Sequence, residues 1–297
     1  MNVVVSGSSG LVGSALMPLL TEAGHEVLRL VRDQRAKGEI HWSPSDGQID
    51  AERLEGADAC VHLAGESIAS GRWTAAKKQR MRDSRVLGTT LVSQTMASLR
   101  RKPQVLVCAS AIGFYGDRGD EVCDEESPVG EGYLAELCRD WEAATEPARQ
   151  AGIRVINLRI GIVLSTSGGA LSQMLLPFRL GLGGVIGNGQ QYWSWISLPD
   201  LLQVILFALK QETLVGPVNG VSPTPVTNHE FTKTLGQVIR RPTVLPLPTA
   251  AARLVMGEMA DALILASARV QPTKLMNSGY RFLHSELGPA MRAILAH

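Results

Sequence analysis

The sequence carries almost no net charge and contains no apolar run long enough to cross a membrane. Its 29 lysines and arginines balance 28 acidic residues to a formal net charge of +1, with no long run of either sign. Nucleic acid and anionic membranes are therefore not expected partners. The most apolar run, residues 201–209, has only the length of a core helix. The strand pattern begins at Val3, which leaves no room for a signal or transit peptide, so we expect a cytoplasmic location.

Recognisable metal-ligand spacings are also missing. The four cysteines include no C-x-x-C pair, and the six histidines form no H-E-x-x-H or comparable pattern. We therefore expect reduced thiols and no metal site. A charged fraction of 19% beside 45% hydrophobic residues excludes a disordered chain. The 297 residues suffice for one large α/β unit, or for a main domain with a smaller lobe.

The first residues predict a phosphate-binding turn. A run of valines at residues 3–5 is followed by glycines at regular spacing, and then by a helix-compatible segment, which indicates strand, tight turn and helix start. Gly7 allows the turn, Gly10 leaves room for a pyrophosphate, and Gly13 lets the helix pack on the strand. The helix N-terminus near Leu11 then faces the anion. The alternative interpretation is an ordinary glycine-rich turn.

The second predicted strand, residues 26–31, ends at Arg32. In dinucleotide-binding units this end reaches the adenosine ribose, where an acidic residue selects the free 2′-hydroxyl and an arginine accommodates a 2′-phosphate. Arg32 comes first here, with Asp33 behind it. The pattern favours NADP(H) as the cofactor, against the alternative of a solvated surface arginine.

Strands and helices then alternate at the spacing of a parallel sheet. Further strands are predicted at residues 59–65, 104–110 and 153–158, with helices at residues 73–100 and 130–150. This alternation indicates an α/β fold with a doubly wound parallel sheet, followed by a smaller C-terminal substrate lobe. We assign residues 1–164 to the NADP(H)-binding domain. The glycine- and proline-rich residues 165–297 form the substrate-side lobe, with some strands returning to the sheet.

Several segments resemble the extended short-chain dehydrogenase/reductases. They are the glycine spacing at the N-terminus and residues 62–65, 85–89 and 110–116. The chain is more narrowly similar to an atypical branch of that group, the YfcH-type NAD-dependent epimerase/dehydratase family. The segments that carry this similarity are residues 63–66, 72–73, 141–142, 176–184 and 195–196. The resemblance covers nearly the whole chain.

The resemblance implies a Rossmann-type fold that binds NADP(H), with a family-specific C-terminal region from about residue 248. Transferred residue by residue, the implied pyrophosphate contacts are Gly7, Gly10, Leu11 and Val12, and the implied 2′-phosphate contact is Arg32. The other implied cofactor neighbours are Leu63 and Ala64 beside the adenine and ribose, Arg85 on the following helix, and Val163 near the nicotinamide.

Two positions depart from the catalytic pattern of the larger group. That group carries Tyr-x-x-x-Lys, whose lysine lowers the pKa of the tyrosine, but here Tyr133 is followed by Leu137 at the lysine position. An unassisted tyrosine with a pKa of about 10 is ionised in roughly one part in a thousand at pH 7, a handicap of roughly 4 kcal/mol. The serine position of the group falls on Ala111, and Ser110 lies one residue earlier.

Two functional hypotheses remain open. In the first, the protein is an NADP(H)-binding oxidoreductase or epimerase that acts on a small, sugar-like substrate by hydride transfer. Tyr115 or Tyr133 would donate the proton and Ser110 would steady the carbonyl. In the second, it is a catalytically silent NADP(H)-binding sensor or interaction module. The expected partner is a small-molecule substrate, and a homodimer is compatible with the sequence.

Overall fold

Strands and helices alternate along the chain, in agreement with the sequence pattern. A computed structural model describes residues 1–33 and 39–296. Its strands are β1 (Asn2–Ser6), β2 (Glu26–Val31), β3 (Glu39–Ser43), β4 (Gln48–Ile49), β5 (Ala59–His62), β6 (Val105–Ala111), β7 (Val122–Cys123), β8 (Arg154–Ile160), β9 (Ile162–Leu164), β10 (Tyr192–Trp193), β11 (Trp195–Ser197), β12 (Gly216–Gly220), β13 (Val226–Thr227) and β14 (Arg269–Val270). Its α-helices are α1 (Leu11–Glu22), α2 (Ala75–Ser98), α3 (Tyr133–Ala143), α4 (Glu146–Gln150), α5 (Gly169–Arg179), α6 (Leu198–Lys210), α7 (Asn228–Ile239), α8 (Thr249–Met256), α9 (Glu258–Ala260), α10 (Thr273–Asn277) and α11 (Leu287–Leu295).

The main sheet reverses its strand order in the middle. Within the described residues it has eight strands in the order β12-β8-β6-β5-β1-β2-β3-β4. All neighbouring pairs are parallel except β3 and β4. The chain builds outward from β1 through β2 and β3 on one side, and through β5, β6, β8 and β12 on the other. Such a reversal opens a crevice at the carboxyl ends of β1 and β5, which is where α/β sheets bind ligands.

Helices cover both faces of this sheet. Val3 and Val5 of β1 pack into one core with α1 and α6, whereas Val4 packs into a second core with α2, α3 and α4. This alternation follows from the two-residue period of a strand, which points successive side chains to opposite faces. Because both faces are buried, β1 is apolar throughout its centre. None of the helices in the described ranges is long and apolar enough to cross a membrane.

The second half of the chain contributes one strand to the main sheet and also forms a separate hydrophobic core. Strand β12 forms one edge of the main sheet and α6 packs on its face. Helices α5, α7 and α11 instead surround a separate core that contains Phe178, Trp195, Phe231 and Met291. Residues 165–296 therefore extend the main sheet and also surround a separate core. The division of the chain at residue 164 stays a prediction.

Candidate functional site

The turn after β1 excludes side chains at two of its three glycines. Gly7 has a φ of +68°, and a Cβ there would lie 2.7 Å from the carbonyl carbon of Leu63. A Cβ on Gly13 would lie 2.2 Å from the Gly7 oxygen, so α1 packs on the turn only without a side chain at this position. At Gly10 the nearest protein atom to a Cβ is the same oxygen, at 3.4 Å. The protein therefore leaves the space in front of Gly10 open to a ligand.

A cavity of about 460 Å³ opens at this turn and the N-terminus of α1. Its lining residues are Ser9, Gly10, Leu11, Ser14, Ala15, Ser167, Gly168 and Leu198. Gly10 is the N-cap of α1 and provides no side-chain cap, and the first turn of the helix carries no acidic residue. The first N–H groups of α1 and its positive dipole end are therefore available to an anion. The cavity therefore lies where the sequence predicts the pyrophosphate of a dinucleotide.

A buried serine and histidine hold the segment that faces this turn across the crevice. The backbone N–H groups of Leu63 and Ala64 donate to Ser6 Oγ at 3.2 and 3.3 Å. Ser6 Oγ also forms a buried hydrogen bond with His62 Nδ1, at 2.7 Å. Burial lowers the pKa of His62 to about 4, so the ring stays neutral. This contact fixes Leu63 and Ala64 where the sequence predicts the cofactor border.

Two arginines lie at the end of β2 with different surroundings. Arg29 pairs with Glu39 at 2.8 Å and donates to Ser8 Oγ at 3.0 Å, so its charge is already compensated. Arg32 is exposed and makes no ion pair within residues 1–33 and 39–296. Its guanidinium is thus available to a phosphate from outside the chain.

Val163 reaches the same crevice from the other side. Strand β9 pairs with β11, with Val163 opposite Ile196, and the glycines that follow pack on α1. A Cβ on Gly168 would lie 3.4 Å from Leu11 Cδ1, and a Cβ on Gly169 would lie 3.5 Å from the Val163 oxygen. Val163, Val12 and Leu63 all pack against the core on the α1 face. The structure therefore brings these predicted cofactor neighbours together.

Tyr133 lies where α3 begins, beside the first turn of α2. Its hydroxyl donates to the backbone oxygen of Lys78 at 2.6 Å, and the Lys78 ammonium lies 5.1 Å from the centre of its ring. Burial raises the pKa of Tyr133, and the charge of Arg85 opposes this effect. Leu137, one helical turn later, is 2% exposed. The positively charged side chains near Tyr133, Lys78 and Arg85, therefore belong to α2 and not to α3.

Ser110 and Tyr115 lie in a buried polar network beneath the crevice. The Ser110 hydroxyl donates to Glu142 Oε1 at 2.7 Å, and Arg159 donates to both carboxylate oxygens at 2.8 and 2.9 Å. Arg159 also donates to the Tyr115 hydroxyl, which in turn donates to Asn219 Oδ1 at 2.7 Å. Burial raises the pKa of Tyr115 to about 12. Ser110 is 3% exposed and Tyr115 is fully buried, so neither reaches a substrate in this structure.

The sequence analysis missed the partners in this network. Ser110, Arg159 and Asn219 stand side by side on the adjacent strands β6, β8 and β12, and Glu142 reaches them from α3. One signal was available, since Arg159 lies between Leu158 and Ile160 near the end of β8, a position where a buried side chain is expected. A buried arginine requires a carboxylate partner.

The comparisons with known proteins decide the family. The family model for the NAD dependent epimerase/dehydratase family matches residues 3–219, and a model for a domain of unknown function, DUF1731, matches residues 247–294. The chain belongs to the NAD dependent epimerase/dehydratase family. An epimerase family protein of Mycobacterium bovis is 46% identical over 290 residues, which cover 97% of this chain and 96% of that protein. The human epimerase family protein SDR39U1 is 36% identical over 301 residues, which cover 100% of both chains. The extended short-chain dehydrogenase/reductase resemblance is confirmed.

Solved structures of relatives agree with the fold of this family member. The crystal structure of human SDR39U1 (isoform 2) with NADPH matches with a TM-score of 0.91 and 34% identity, over 100% of this chain and 99% of that chain. A nucleoside-diphosphate sugar epimerase from Corynebacterium glutamicum matches with a TM-score of 0.84 and 38% identity, over 99% of this chain and 58% of that chain. The predicted Rossmann-type α/β fold is confirmed. The human structure contains NADPH, the cofactor that the sequence analysis predicts for this chain.

Proposed function

We propose that the protein is an NADP(H)-dependent oxidoreductase or epimerase that acts on a small substrate by hydride transfer, with Tyr133 transferring the proton. The observation that carries this proposal is the accessibility of Tyr133, which is partly exposed at the start of α3. Ser110 and Tyr115 are buried and occupied by protein partners. A general acid must come within hydrogen-bond reach of the substrate, so Tyr133 is the preferred candidate.

The cofactor is proposed to lie across the reversal of the sheet. NADP(H), when bound, supplies or accepts the hydride. The N-terminus of α1 would hold its pyrophosphate and Arg32 its 2′-phosphate. The full set of residues proposed to contact it is Gly7, Gly10, Leu11, Val12, Gly13, Arg32, Leu63, Ala64, Arg85 and Val163.

The environment of Tyr133 suits proton donation better than proton removal. Its raised pKa keeps the phenol protonated at neutral pH, so the hydroxyl is ready to give a proton to a carbonyl oxygen. The contact with the Lys78 oxygen orients the hydroxyl until a substrate takes its place. The charge of Arg85 stabilises the phenolate that remains, and so takes over part of the role of the missing lysine. Carbonyl reduction is accordingly the direction that these residues favour.

The experiment compares two tyrosine variants with a panel of carbonyl substrates. Tyr133→Phe should abolish NADPH consumption while changing NADPH affinity less than about twofold, because the hydroxyl acts only at the reacting centre. Tyr115→Phe should lower the unfolding midpoint, since it removes buried hydrogen bonds, but leave turnover per folded molecule nearly unchanged. Loss of turnover in Tyr115→Phe alone would assign the proton to the other tyrosine. Unchanged turnover in both variants would remove tyrosine from the mechanism.

A catalytically silent NADP(H) sensor is the second candidate. Two observations favour it: Leu137 is buried at the position of the expected lysine, and the Tyr133 hydroxyl is already bound to the Lys78 oxygen. This hypothesis predicts tight NADPH binding with constant NADPH absorbance against every carbonyl compound tested. Turnover of any one compound that is lost in Tyr133→Phe would refute it.

A further inference from the structure

The second half of the chain exposes large apolar side chains on two neighbouring segments. One segment is α5 with the loop that follows it, and the other is the irregular stretch 240–248 between α7 and α8. The exposed side chains, which are between 37% and 72% accessible, are Leu176, Leu180, Leu182, Val244, Leu245 and Leu247. We call these six residues the apolar face. Exposed apolar side chains that lie together in this way mark an interaction surface.

Hydrogen bonds between the two segments join these side chains into one surface. The Leu247 N–H donates to the Val185 oxygen at 2.8 Å, and Arg241 Nε donates to the Arg179 oxygen at 2.8 Å. The stretch 240–248 therefore runs beside the C-terminal end of α5 and the loop after it. The buried face of α5 packs into the lobe core, so its exposed leucines lie on the opposite side of the helix.

The same part of the chain is basic and lacks acidic residues. Residues 166–199 and 231–257 contain no aspartate or glutamate, and their basic residues are Arg179, Lys233, Arg240, Arg241 and Arg253. In the part of the chain that the structure describes, Arg179, Arg240 and Arg241 are exposed and form no ion pair. The net charge of +1, from which no anionic membrane was expected as a partner, averages over this local excess of positive charge.

These arginines lie at the far end of α5 from the proposed cofactor. The helix begins at Gly169, where a Cβ would lie 3.3 Å from Leu11 Cδ2 and 3.5 Å from the Val163 oxygen. Two predicted cofactor neighbours, Leu11 and Val163, are therefore at its N-terminal end. Arg179 is the last of its 11 residues, roughly 15 Å away along the helix axis. A cofactor bound at Leu11 and Val163 leaves Arg179 and the apolar side chains around it uncovered.

The charge and composition of the apolar face decide between possible occupants. A second copy of the chain that docked through the same face would bring the arginines of both copies together, which like-charge repulsion opposes. Leucine and valine are also under-represented among the residues that carry most of the binding energy of protein–protein interfaces. Leucine flanked by arginine is instead typical of segments that lie on a membrane surface.

We propose that the apolar face docks the protein on an anionic membrane surface. The leucine and valine side chains enter the boundary between headgroups and acyl chains, and Arg179, Arg240 and Arg241 contact lipid phosphates. Arginine suits this contact because one guanidinium pairs with two phosphate oxygens. An apolar contact or a basic patch alone gives weak membrane binding, so the two act together.

The test measures flotation of the protein with two kinds of vesicle, phosphatidylcholine alone and equal parts of phosphatidylcholine and phosphatidylglycerol. Wild type should bind the anionic vesicles and not the neutral ones, and binding should weaken as the salt concentration rises. The double variant Arg179→Gln/Arg240→Gln should bind anionic vesicles about 30-fold more weakly, at about fivefold for each arginine. Leu180→Gln/Val244→Gln keeps the charge but removes apolar area, so it should bind about tenfold or more weakly.

Arg100→Gln/Lys102→Gln is the matched control. It removes the same charge from exposed residues between α2 and β6, outside the apolar face, and should bind within about twofold of wild type. All the substituted side chains are exposed, so the melting temperature of each variant should stay within about 2 °C of wild type.

Three results would overturn the inference. The first is wild type that does not float with the anionic vesicles at low salt. The second is a loss of binding in the Arg100→Gln/Lys102→Gln control as large as that in Arg179→Gln/Arg240→Gln, because the vesicles would then respond only to overall charge. The third is a wild-type dimer in analytical ultracentrifugation that becomes a monomer in Leu180→Gln/Val244→Gln, which would make the apolar face an interface between two copies.

Discussion

Gly10→Ala should separate cofactor binding from folding. A methyl group at this position has no protein atom closer than 3.4 Å, and the φ of −78° and ψ of 174° suit alanine. Alanine is a poorer N-cap than glycine by roughly 0.5–1 kcal/mol, but it also restricts the unfolded chain by about 0.4–1 kcal/mol. These effects nearly cancel. We therefore expect the melting temperature of the apo protein to change by no more than about 3 °C.

The same methyl group occupies the space in which the pyrophosphate would approach the turn. If it displaces the anion from even one N–H of α1, the loss is about 1.5–3 kcal/mol, which corresponds to roughly 10- to 150-fold weaker NADPH binding. Calorimetric titration of NADPH into wild type and variant measures this ratio directly. The bulkier Gly10→Val should abolish binding.

Gly13→Ala is the comparison that exposes a folding effect. Its methyl group would lie 2.2 Å from the Gly7 oxygen, so we expect a lower melting temperature together with weaker binding. Gly10→Ala that binds NADPH as tightly as wild type would refute the reasoning, because the cofactor would then not approach this turn. A loss of stability in Gly10→Ala as large as that in Gly13→Ala would also contradict it.

Three further perturbations test other parts of the structure. Arg32→Ala should weaken NADPH binding by about 10- to 150-fold and leave NADH binding nearly unchanged. The preference of wild type for NADPH over NADH should shrink as the salt concentration rises. If calorimetry gives wild type equal affinities for both cofactors, Arg32 is only a surface residue. Arg159→Met should cost about 3–5 kcal/mol in urea unfolding because it leaves the Glu142 carboxylate buried without its partner, and a cost below about 1 kcal/mol would contradict the network. His62 has a folded-state pKa of about 4 against an ordinary value of 6.5, so its contribution to stability is present above pH 6.5 and is lost as the pH falls towards 4. Between pH 7 and pH 5 wild type should therefore lose about 2 kcal/mol more stability than His62→Gln, and equal losses in both proteins would show that His62 does not titrate on unfolding.

The sequence by itself determined the local structure of the predicted cofactor site, namely the turn between the first strand and helix and the end of the second strand. A valine run with glycines at positions 7, 10 and 13 specifies strand, turn and helix start, because chain stiffness and steric exclusion act between near neighbours. The same holds for Arg32, whose place after β2 follows from the end of a strand pattern. The family resemblance added Leu63, Ala64 and Val163 to the predicted cofactor neighbours, and the structure brings these three residues to one crevice.

Only the tertiary structure decided which polar side chains remain accessible. Ser110 lies near the end of a buried strand and Tyr115 follows that strand, as expected for catalytic residues. Yet Arg159, 44 residues after Tyr115 in the chain, donates to the Tyr115 hydroxyl. That contact depends on the register of β6, β8 and β12, and long-range pairing leaves no short-range pattern in the sequence. The pairing of Arg159 with Glu142 has the same origin, since whether a charge is paired depends on which distant carboxylates the fold brings within reach.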